Sequence, residues 1–250
     1  FPTQAVMANV LGTKNVADLA IKYEVERFVM ISTDKAVNPT NVMGASKRIA
    51  EIYVQSLFLK TVQEKADCTK FITTRFGNVL GSNGSVVPYF KKQIASGGPV
   101  TVTHPDIIRY FMTIPEASSL VLEAATLGNG GEIFVFDMGQ PVKIADLARN
   151  MIRLAGFIPG KDIEIRYTGL RSGEKLYEEL LNQKEKTIPT SNNKILVAKV
   201  RAYDYNIVKD QIDQLIATAQ TGKVFPTVQI MKDIVPEFKS KNSPYEQLDK

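Results

Sequence analysis

The sequence is poor in the residues that metal sites, disulfides and the common hydrolase triads require. Its 250 residues include one cysteine, Cys68, one histidine, His104, and no tryptophan. A single cysteine excludes an internal disulfide framework and suits a reducing compartment, and one cysteine with one histidine cannot form a structural zinc site. A Ser-His-Asp triad would depend on His104, which Pro105 follows directly. We therefore expect a cytoplasmic protein without a metal site.

Long apolar runs and concentrated positive charge are also missing. No apolar stretch approaches the roughly 20 residues of a membrane-spanning helix, and the opening residues lack the basic flank and apolar stretch of a signal peptide. The net charge is +5, yet no run of Lys and Arg exceeds two residues. Nucleic-acid-binding proteins usually concentrate these residues on one face. We expect no nucleic-acid partner and no membrane contact by this chain; isolated arginines suit a small anionic ligand.

The apolar pattern that is present predicts an α/β fold. A continuous apolar run at 27–32 predicts a strand covered on both faces, followed by a helix at about 44–60 and a strand at 71–76. Such a βαβ unit has parallel strands and a right-handed crossover. Further helices are predicted at 4–23, 88–96, 115–127, 144–155, 172–181 and 206–218, and further strands at 100–103, 132–136 and 163–167. We expect the polar tail, 239–250, to pack poorly.

Polar residues follow both strands of this unit at their carboxyl ends, where open α/β sheets bind ligands. Residues 32–35, Ser-Thr-Asp-Lys, follow the first strand, and Gly77 and Asn78 follow the second. Glycine lets backbone amides approach a ligand, and Asn78 offers both a donor and acceptors. A solvated strand exit and a glycine-rich surface loop would also explain the two segments.

Four further residues have an ordinary structural interpretation beside a functional one. Met43 and Lys47 are four residues apart, on one face of the predicted helix, but a methionine near a helix start is usually core and a lysine is usually surface. Arg109 and Arg171 lie in predicted loops. Two guanidinium groups could clamp a diphosphate bidentately, although a loop arginine is more often only solvated.

Taken together, these segments resemble a known family. The similar stretches are residues 32–48, 75–82, 97–105, 109–117, 170–175 and 235–238. They resemble bacterial polysaccharide-biosynthesis nucleotide-sugar dehydratases, which are extended short-chain dehydrogenase/reductases typified by UDP-N-acetylglucosamine 4,6-dehydratase. Met43 departs from most members, which carry tyrosine there, and is similar to the large membrane-tethered branch; a thioether cannot serve as a base. Ser172 stands where the family has proline.

The resemblance implies a fold and its division. No G-x-G-x-x-G turn follows a predicted strand, and the opening residues resemble a segment well inside a Rossmann domain. We expect the C-terminal part of a Rossmann-type parallel sheet with a smaller mixed α/β substrate-binding region. Residues 1–80 would be Rossmann, 81–190 mainly substrate-binding with interleaved Rossmann elements, and 191–250 a helical extension and polar tail. NAD or NADP would be bound largely by a segment missing from this chain, which alone would be inactive; the parent would be anchored upstream in the membrane.

The resemblance also implies an activity and its residues. The enzyme would eliminate water across C5 and C6 of UDP-N-acetylglucosamine for capsule or O-antigen precursors: hydride leaves C4, the 6-hydroxyl departs, and hydride returns at C6. The implied catalytic residues are Thr33 at the 4-oxygen, Asp34 as the acid, Lys35 as the base at C5, Met43 and Lys47. The implied cofactor contacts are Ser32, Lys47 and Arg75. The implied substrate contacts are Asn78, Arg109, Arg171 and Glu174.

Two alternatives remain open on the sequence. A nucleotide-sugar epimerase acting at C5 of a 4-keto sugar would share the fold and most of the motifs. A non-catalytic domain of the same fold would explain Met43 and the absent glycine-rich turn, although the joint presence of Thr33, Asp34, Lys35 and Lys47 argues against it. The opening helix and the helix after Met43 resemble a pair that forms dimer bundles, so we expect a homo-oligomer.

Overall fold

The computed structural model describes residues 1–65, 68–179, 186–199 and 201–249, in which helices and strands alternate much as predicted. The helices are α1 (Pro2–Ala5), α2 (Gly12–Lys22), α3 (Val42–Glu64), α4 (Val86–Ala95), α5 (Ile114–Leu127), α6 (Ile144–Leu154), α7 (Tyr205–Gln220) and α8 (Val224–Ile234). The strands are β1 (Arg27–Thr33), β2 (Lys70–Phe76), β3 (Asn78–Val79), β4 (Val100–Val102), β5 (Ile108–Arg109), β6 (Phe111–Met112), β7 (Ile133–Phe136), β8 (Val142–Lys143), β9 (Ile165–Tyr167), β10 (Lys186–Pro189) and β11 (Ile195–Lys199). A π-helical segment, Val6–Leu11, joins α1 to α2.

The centre of the fold is a five-stranded sheet in the order β1-β2-β7-β11-β10. Strands β1, β2 and β7 are parallel, whereas β11 and β10 extend the sheet antiparallel. The βαβ unit of β1, α3 and β2 is as predicted, and so is the α/β class. The sheet takes strands from all three predicted segments of the chain, and the division into domains stays a prediction.

Helices cover both faces of this sheet. On one face, α3 packs against α2, α7 and α8 around a core that includes Met30, Tyr53 and Phe71. On the other face, α5 packs against Ile72 and Phe136. The opening helix and α3, expected to pair between subunits, are thus covered in part by α7 of the same chain. None of the described helices has the length and apolarity that crossing a bilayer requires.

A second, smaller core holds the predicted substrate-binding region together. Helices α4 and α6 enclose the parallel pair β4–β9, with Phe90, Ile152 and Ile163 buried between them. Two short pairs, β3–β6 and β5–β8, connect this region to the sheet. These pairs position Asn78 and Arg109 at the carboxyl end of β2.

Two predictions of local structure are wrong. Residues 172–179 form turns instead of the first part of the helix predicted at 172–181, and Leu180 and Leu181 lie outside the described residues. The helix is replaced by tertiary bonds: Gly173 has a φ of +71°, and the Leu176 carbonyl accepts from Ile108 N at 3.1 Å. The tail, expected to pack poorly, is held over 239–249, since Lys239 N donates to the Pro39 carbonyl at 3.1 Å.

Candidate functional site

A hydrogen-bonded group of three side chains lies where β1 ends. The Thr33 hydroxyl donates to Asp34 Oδ1 at 2.8 Å, and Lys35 Nζ donates to the same oxygen at 2.8 Å. Lys35 Nζ also donates to Asn78 Oδ1 at 3.0 Å. Three of the implied catalytic residues and one implied substrate residue are therefore in contact. Asp34 is 1% exposed, and its Oδ2 has no hydrogen-bond partner among the described residues.

Two glycines allow this group to form. The 3₁₀ turn Asp34–Ala36 lies against the start of α3, and a Cβ on Gly44 would come within 2.0 Å of the Lys35 carbonyl oxygen. On the other side, a Cβ on Gly77 would lie 3.2 Å from Asp34 Oδ2. Close backbone approach thus brings the strand end, the helix and the β2 exit together.

A buried charge network centred on Glu51 lies beside this group. Arg75 donates to both carboxylate oxygens of Glu51, at 2.8 and 2.6 Å, Arg48 donates at 3.0 Å, and the Ser32 hydroxyl donates at 2.6 Å. Burial alone would raise the pKa of Glu51, but the charges of Arg75 and Arg48 and the hydrogen bonds from Arg75 and Ser32 outweigh it and hold the pKa at about 2. The sequence analysis missed Glu51.

Ser32 and Arg75, the implied cofactor contacts, are both part of this interior network. Arg75 is 0% exposed and Ser32 is 4% exposed. Their side chains therefore donate to Glu51 in the interior. Direct contact between either side chain and a cofactor stays a prediction.

Met43 and Lys47 lie on the exposed side of α3. Met43 is 42% exposed and lines the same cleft as Lys35. Lys47 Nζ donates to the Ile31 carbonyl at 3.3 Å, its only hydrogen bond within the described part of the chain. Partial burial lowers the pKa of Lys47, and the Glu51 carboxylate opposes that shift. Lys47 thus reaches β1, and the four-residue spacing puts it on the same face of α3 as Met43.

The loop at 171–174 is fastened to the start of α3 and to β5. The Gly173 carbonyl accepts from the Thr40 hydroxyl at 2.7 Å and from Asn41 Nδ2 at 3.0 Å. Glu174 accepts from Arg171 N at 3.0 Å and from Arg109 Nη2 at 3.5 Å. Three of the implied substrate residues, Arg109, Arg171 and Glu174, thus share one wall.

Two adjoining clefts meet at that wall. The first, of about 490 Å³, runs over Lys35 and Met43. The second, of about 320 Å³, reaches Asn78 and the start of α4 at Ser85. Arg109, Arg171 and Glu174 line both. The Arg171 side chain is exposed and forms no hydrogen bond or ion pair with the residues that the structure describes, so it has donors for a ligand.

The C-terminal tail forms part of the first cleft, through Phe238, Ser240, Ser243 and Tyr245. Lys232, 7% exposed, holds the tail by donating to the Phe238 carbonyl at 3.3 Å, the Ser240 hydroxyl at 2.9 Å and an Asp249 oxygen. The Tyr245 ring contacts Phe225 edge-on. A polar tail gives no periodic signal, which is why the sequence analysis missed these residues.

Glu178 is another residue of the first cleft that the sequence analysis missed. Its Oε1 lies 3.7 Å from Arg109 Nη2. Burial raises its pKa, with the charge of Asp34 adding to the effect and those of Lys35, Arg109 and Lys175 opposing it. The sequence analysis predicted a helix at this segment, and the position of Glu178 in the cleft depends on the turns that replace that helix at 172–179.

Comparison with known proteins places the chain in a family of polysaccharide biosynthesis proteins. A family model described as polysaccharide biosynthesis protein matches residues 1–200. The chain is 58% identical over 215 residues to the capsular polysaccharide biosynthesis protein CapD of Staphylococcus aureus, which covers 86% of this chain and 34% of CapD. It is 39% identical over 186 residues to a UDP-glucose 4-epimerase of Rickettsia canadensis, covering 74% of this chain and 52% of the epimerase.

A solved structure shows the same fold. Pen from Bacillus thuringiensis is 34% identical and matches with a TM-score of 0.72, covering 82% of this chain and 62% of Pen. The chain spans about a third of the length of CapD and about half that of the epimerase.

Proposed function

This chain belongs to the polysaccharide biosynthesis protein family, and from that premise we propose that it carries the catalytic and sugar-nucleotide-binding residues of a UDP-N-acetylglucosamine 4,6-dehydratase. The observation that carries the proposal is the Asp34–Lys35 pair. Lys35 Nζ lies 2.8 Å from Asp34 Oδ1 and lines a cleft that also contains Arg109 and Arg171. A water elimination needs a base at the C–H proton and an acid at the leaving hydroxyl, and this pair offers one of each.

The Asp34–Lys35 pair takes up one proton and gives up one proton in the elimination, so the protons balance. At the 4-keto sugar, a neutral Lys35 amine takes the C5 proton, the C5–H electrons form the C5=C6 bond, and the C6–O bond breaks. The departing hydroxide takes the proton of Asp34 and leaves as water. Lys35 is then an ammonium and Asp34 a carboxylate, and one proton transfer across their hydrogen bond restores the pair. Because Asp34 is buried against Lys35, which lines the cleft, its proton would reach the departing hydroxide through Lys35 Nζ.

Among the described residues, Lys47 is the one whose side chain suits contact with a nicotinamide dinucleotide. An ammonium has three donors, and Lys47 Nζ uses one on the Ile31 carbonyl among the described residues, which leaves donors for ribose hydroxyls. Bound NAD, or NADP, would supply the hydride acceptor at C4 and the donor at C6. Glu51, fixed by Ser32 and Arg75, holds a negative charge near Lys47.

The two clefts suit the two parts of a sugar nucleotide. Arg171, exposed between them, has donors for the diphosphate, and Arg109 and Glu174 fix the wall on which it stands. The second cleft, beside Asn78 and the N-terminus of α4, would take the nucleoside, and the first would take the sugar beside Lys35.

The Asp34–Lys35 pair, and not Met43, favours dehydration over 4-epimerisation. The relative from Rickettsia canadensis is a UDP-glucose 4-epimerase, and most members of the resembling family carry tyrosine where this chain has Met43. A thioether cannot remove the 4-hydroxyl proton, which both reactions require for oxidation at C4, so Met43 does not separate them. Asp34 and Lys35 supply an acid and a base, which an elimination across C5 and C6 requires and a 4-epimerisation does not, and this supports dehydration.

The direct test is the mass of the product that the parent-length protein, with NAD bound, makes from UDP-N-acetylglucosamine. We expect the loss of one water. In Lys35→Met, the rate should fall by about 10²–10⁴-fold, the usual contribution of a general base. Lys209→Met, on the exposed side of α7, is the matched control and should keep the wild-type rate.

Two outcomes would contradict the proposal. An isomer of unchanged mass would identify an epimerase, and normal dehydration by Lys35→Met would remove Lys35 from the mechanism.

A further inference from the structure

Glu178 carries a buried acceptor that the described structure leaves without a donor. Its side chain is 6% exposed, and Oε2 has no hydrogen-bond partner among the described residues. Buried carboxylate oxygens are almost always hydrogen-bonded, because desolvation without a partner costs free energy. Since Glu178 lies in the wall of the first cleft, a bound ligand can supply the missing donor.

The charges around Glu178 restrict what that donor can be. Lys35, Arg109 and Lys175 already act on this carboxylate, so a further cation gains little there. A phosphate is repelled by the carboxylate itself, whereas Arg171, on the same wall, attracts it. A neutral O–H or N–H group therefore fits best.

We propose that Glu178 accepts a hydrogen bond from a hydroxyl or amide N–H of the sugar in a bound sugar nucleotide, and so directs the sugar, rather than the diphosphate, toward Lys35. The inference rests on the proposed function, which it extends by a residue that recognises the sugar. Arg109, 3.7 Å from Oε1, holds the carboxylate in place for this contact.

The test compares the affinities of UDP and UDP-N-acetylglucosamine in wild type, Glu178→Ala and Glu178→Gln, by calorimetry on the purified protein. In Glu178→Ala, we expect the affinity for the sugar nucleotide to fall about 10- to 100-fold, the range for a hydrogen bond to a charged group, and the affinity for UDP to stay unchanged. Glu178→Gln keeps one acceptor oxygen and should lose less. If the alanine variant does not fold, the glutamine variant carries the comparison.

Glu179→Gln is the matched control, because Glu179 accepts from Asn38 and Lys175 outside the first cleft. It should leave both affinities unchanged. If Glu178→Ala lowers the affinities for UDP and for UDP-N-acetylglucosamine equally, Glu178 has a structural role. If it lowers neither affinity, water supplies the donor. Either result overturns the inference. The expected binding pattern without loss of water from the substrate would refute the dehydratase and leave the sugar contact standing.

Discussion

Glu51 joins β1, α3 and β2 through one carboxylate. It is 0% exposed and accepts from Ser32 on β1, Arg48 on α3 and Arg75 on β2. A buried pair stabilises little compared with an apolar replacement, but removing one partner leaves an uncompensated charge. The main effect of losing Glu51 would therefore be to leave the positive charges of Arg48 and Arg75 uncompensated by this carboxylate.

We expect Glu51→Gln to lower the free energy of unfolding by about 3–5 kcal/mol, since the buried guanidinium groups of Arg48 and Arg75 both lose the negative charge of Glu51. Urea unfolding at pH 7 measures this. Glu237→Gln is the matched control, because Glu237 accepts from the same Arg48 at 3.4 Å but is 31% exposed. A loss as large in the control as in Glu51→Gln would contradict the assignment.

The same carboxylate predicts a dependence of stability on pH. The pKa of Glu51 is about 2 in the folded protein, against 4.5 for a free glutamate. A depressed folded pKa contributes stability that is complete above the unfolded pKa and is lost as the pH falls toward the folded one. We expect wild type to lose up to about 3 kcal/mol more than Glu51→Gln between pH 5 and pH 2. Parallel pH curves for the two proteins would refute this.

At the scale of elements, α3 differs from the helix that its sequence predicts. The sequence predicts a helix that ends near residue 60, but the helix runs from Val42 to Glu64 and is buried on most of its circumference. The reason is tertiary: α7 and α8 cover the side that a surface helix would expose to water. The start of α3, in contrast, is determined by neighbouring residues, because the Asn41 side chain caps the helix by accepting from Gly44 N at 2.9 Å.

The contact between α3 and the 3₁₀ turn Asp34–Ala36 depends on Gly44. A Cβ there would meet the Lys35 carbonyl oxygen at 2.0 Å, and a backbone atom cannot move aside alone. We expect Gly44→Ala to cost about 1–3 kcal/mol of stability and to reduce dehydration by displacing Lys35. Unfolding midpoints and initial rates measure both effects.

Gly12 provides the control for that substitution. It lies in a helix with φ −58°, and an added Cβ would meet only the Met7 carbonyl oxygen, at 3.8 Å. Gly12→Ala should therefore stabilise the protein by about 0.4–1 kcal/mol. If Gly44→Ala behaves in the same way, the close approach to Lys35 does not constrain the turn.

At the scale of the whole molecule, the C-terminal tail closes the cleft from the far end of the sequence. Its backbone links Pro39 to Gly173, because Lys239 N donates to the Pro39 carbonyl and the Lys241 carbonyl accepts from Gly173 N at 2.7 Å. The loop at Pro39 and the loop at 171–174 are therefore held by the same short segment of the tail.

We expect removal of residues 240–250 to weaken binding of UDP-N-acetylglucosamine about tenfold or more, because the cleft loses Ser240, Ser243 and Tyr245. Lys232→Met accompanies the truncation so that no buried ammonium is left without its Ser240 and Asp249 partners. The full-length Lys232→Met protein is the control and should bind more tightly than the truncated one. Equal affinities would show that the tail does not contribute to the site.

The sequence by itself determined the α/β class, the βαβ unit and the residues that meet at the carboxyl ends of β1 and β2. Apolar periodicity is local, and residues 32–35 and Asn78 converge because parallel strands end at the same edge of a sheet. Three features depend on the tertiary structure. Ser32 and Arg75 are buried against Glu51, and the turns at 172–179 place Glu178 in the wall of the cleft. Lys232 holds the tail in place. Each of these depends on contacts between residues distant in the chain, whose free energies outweigh the local propensities that a sequence pattern records.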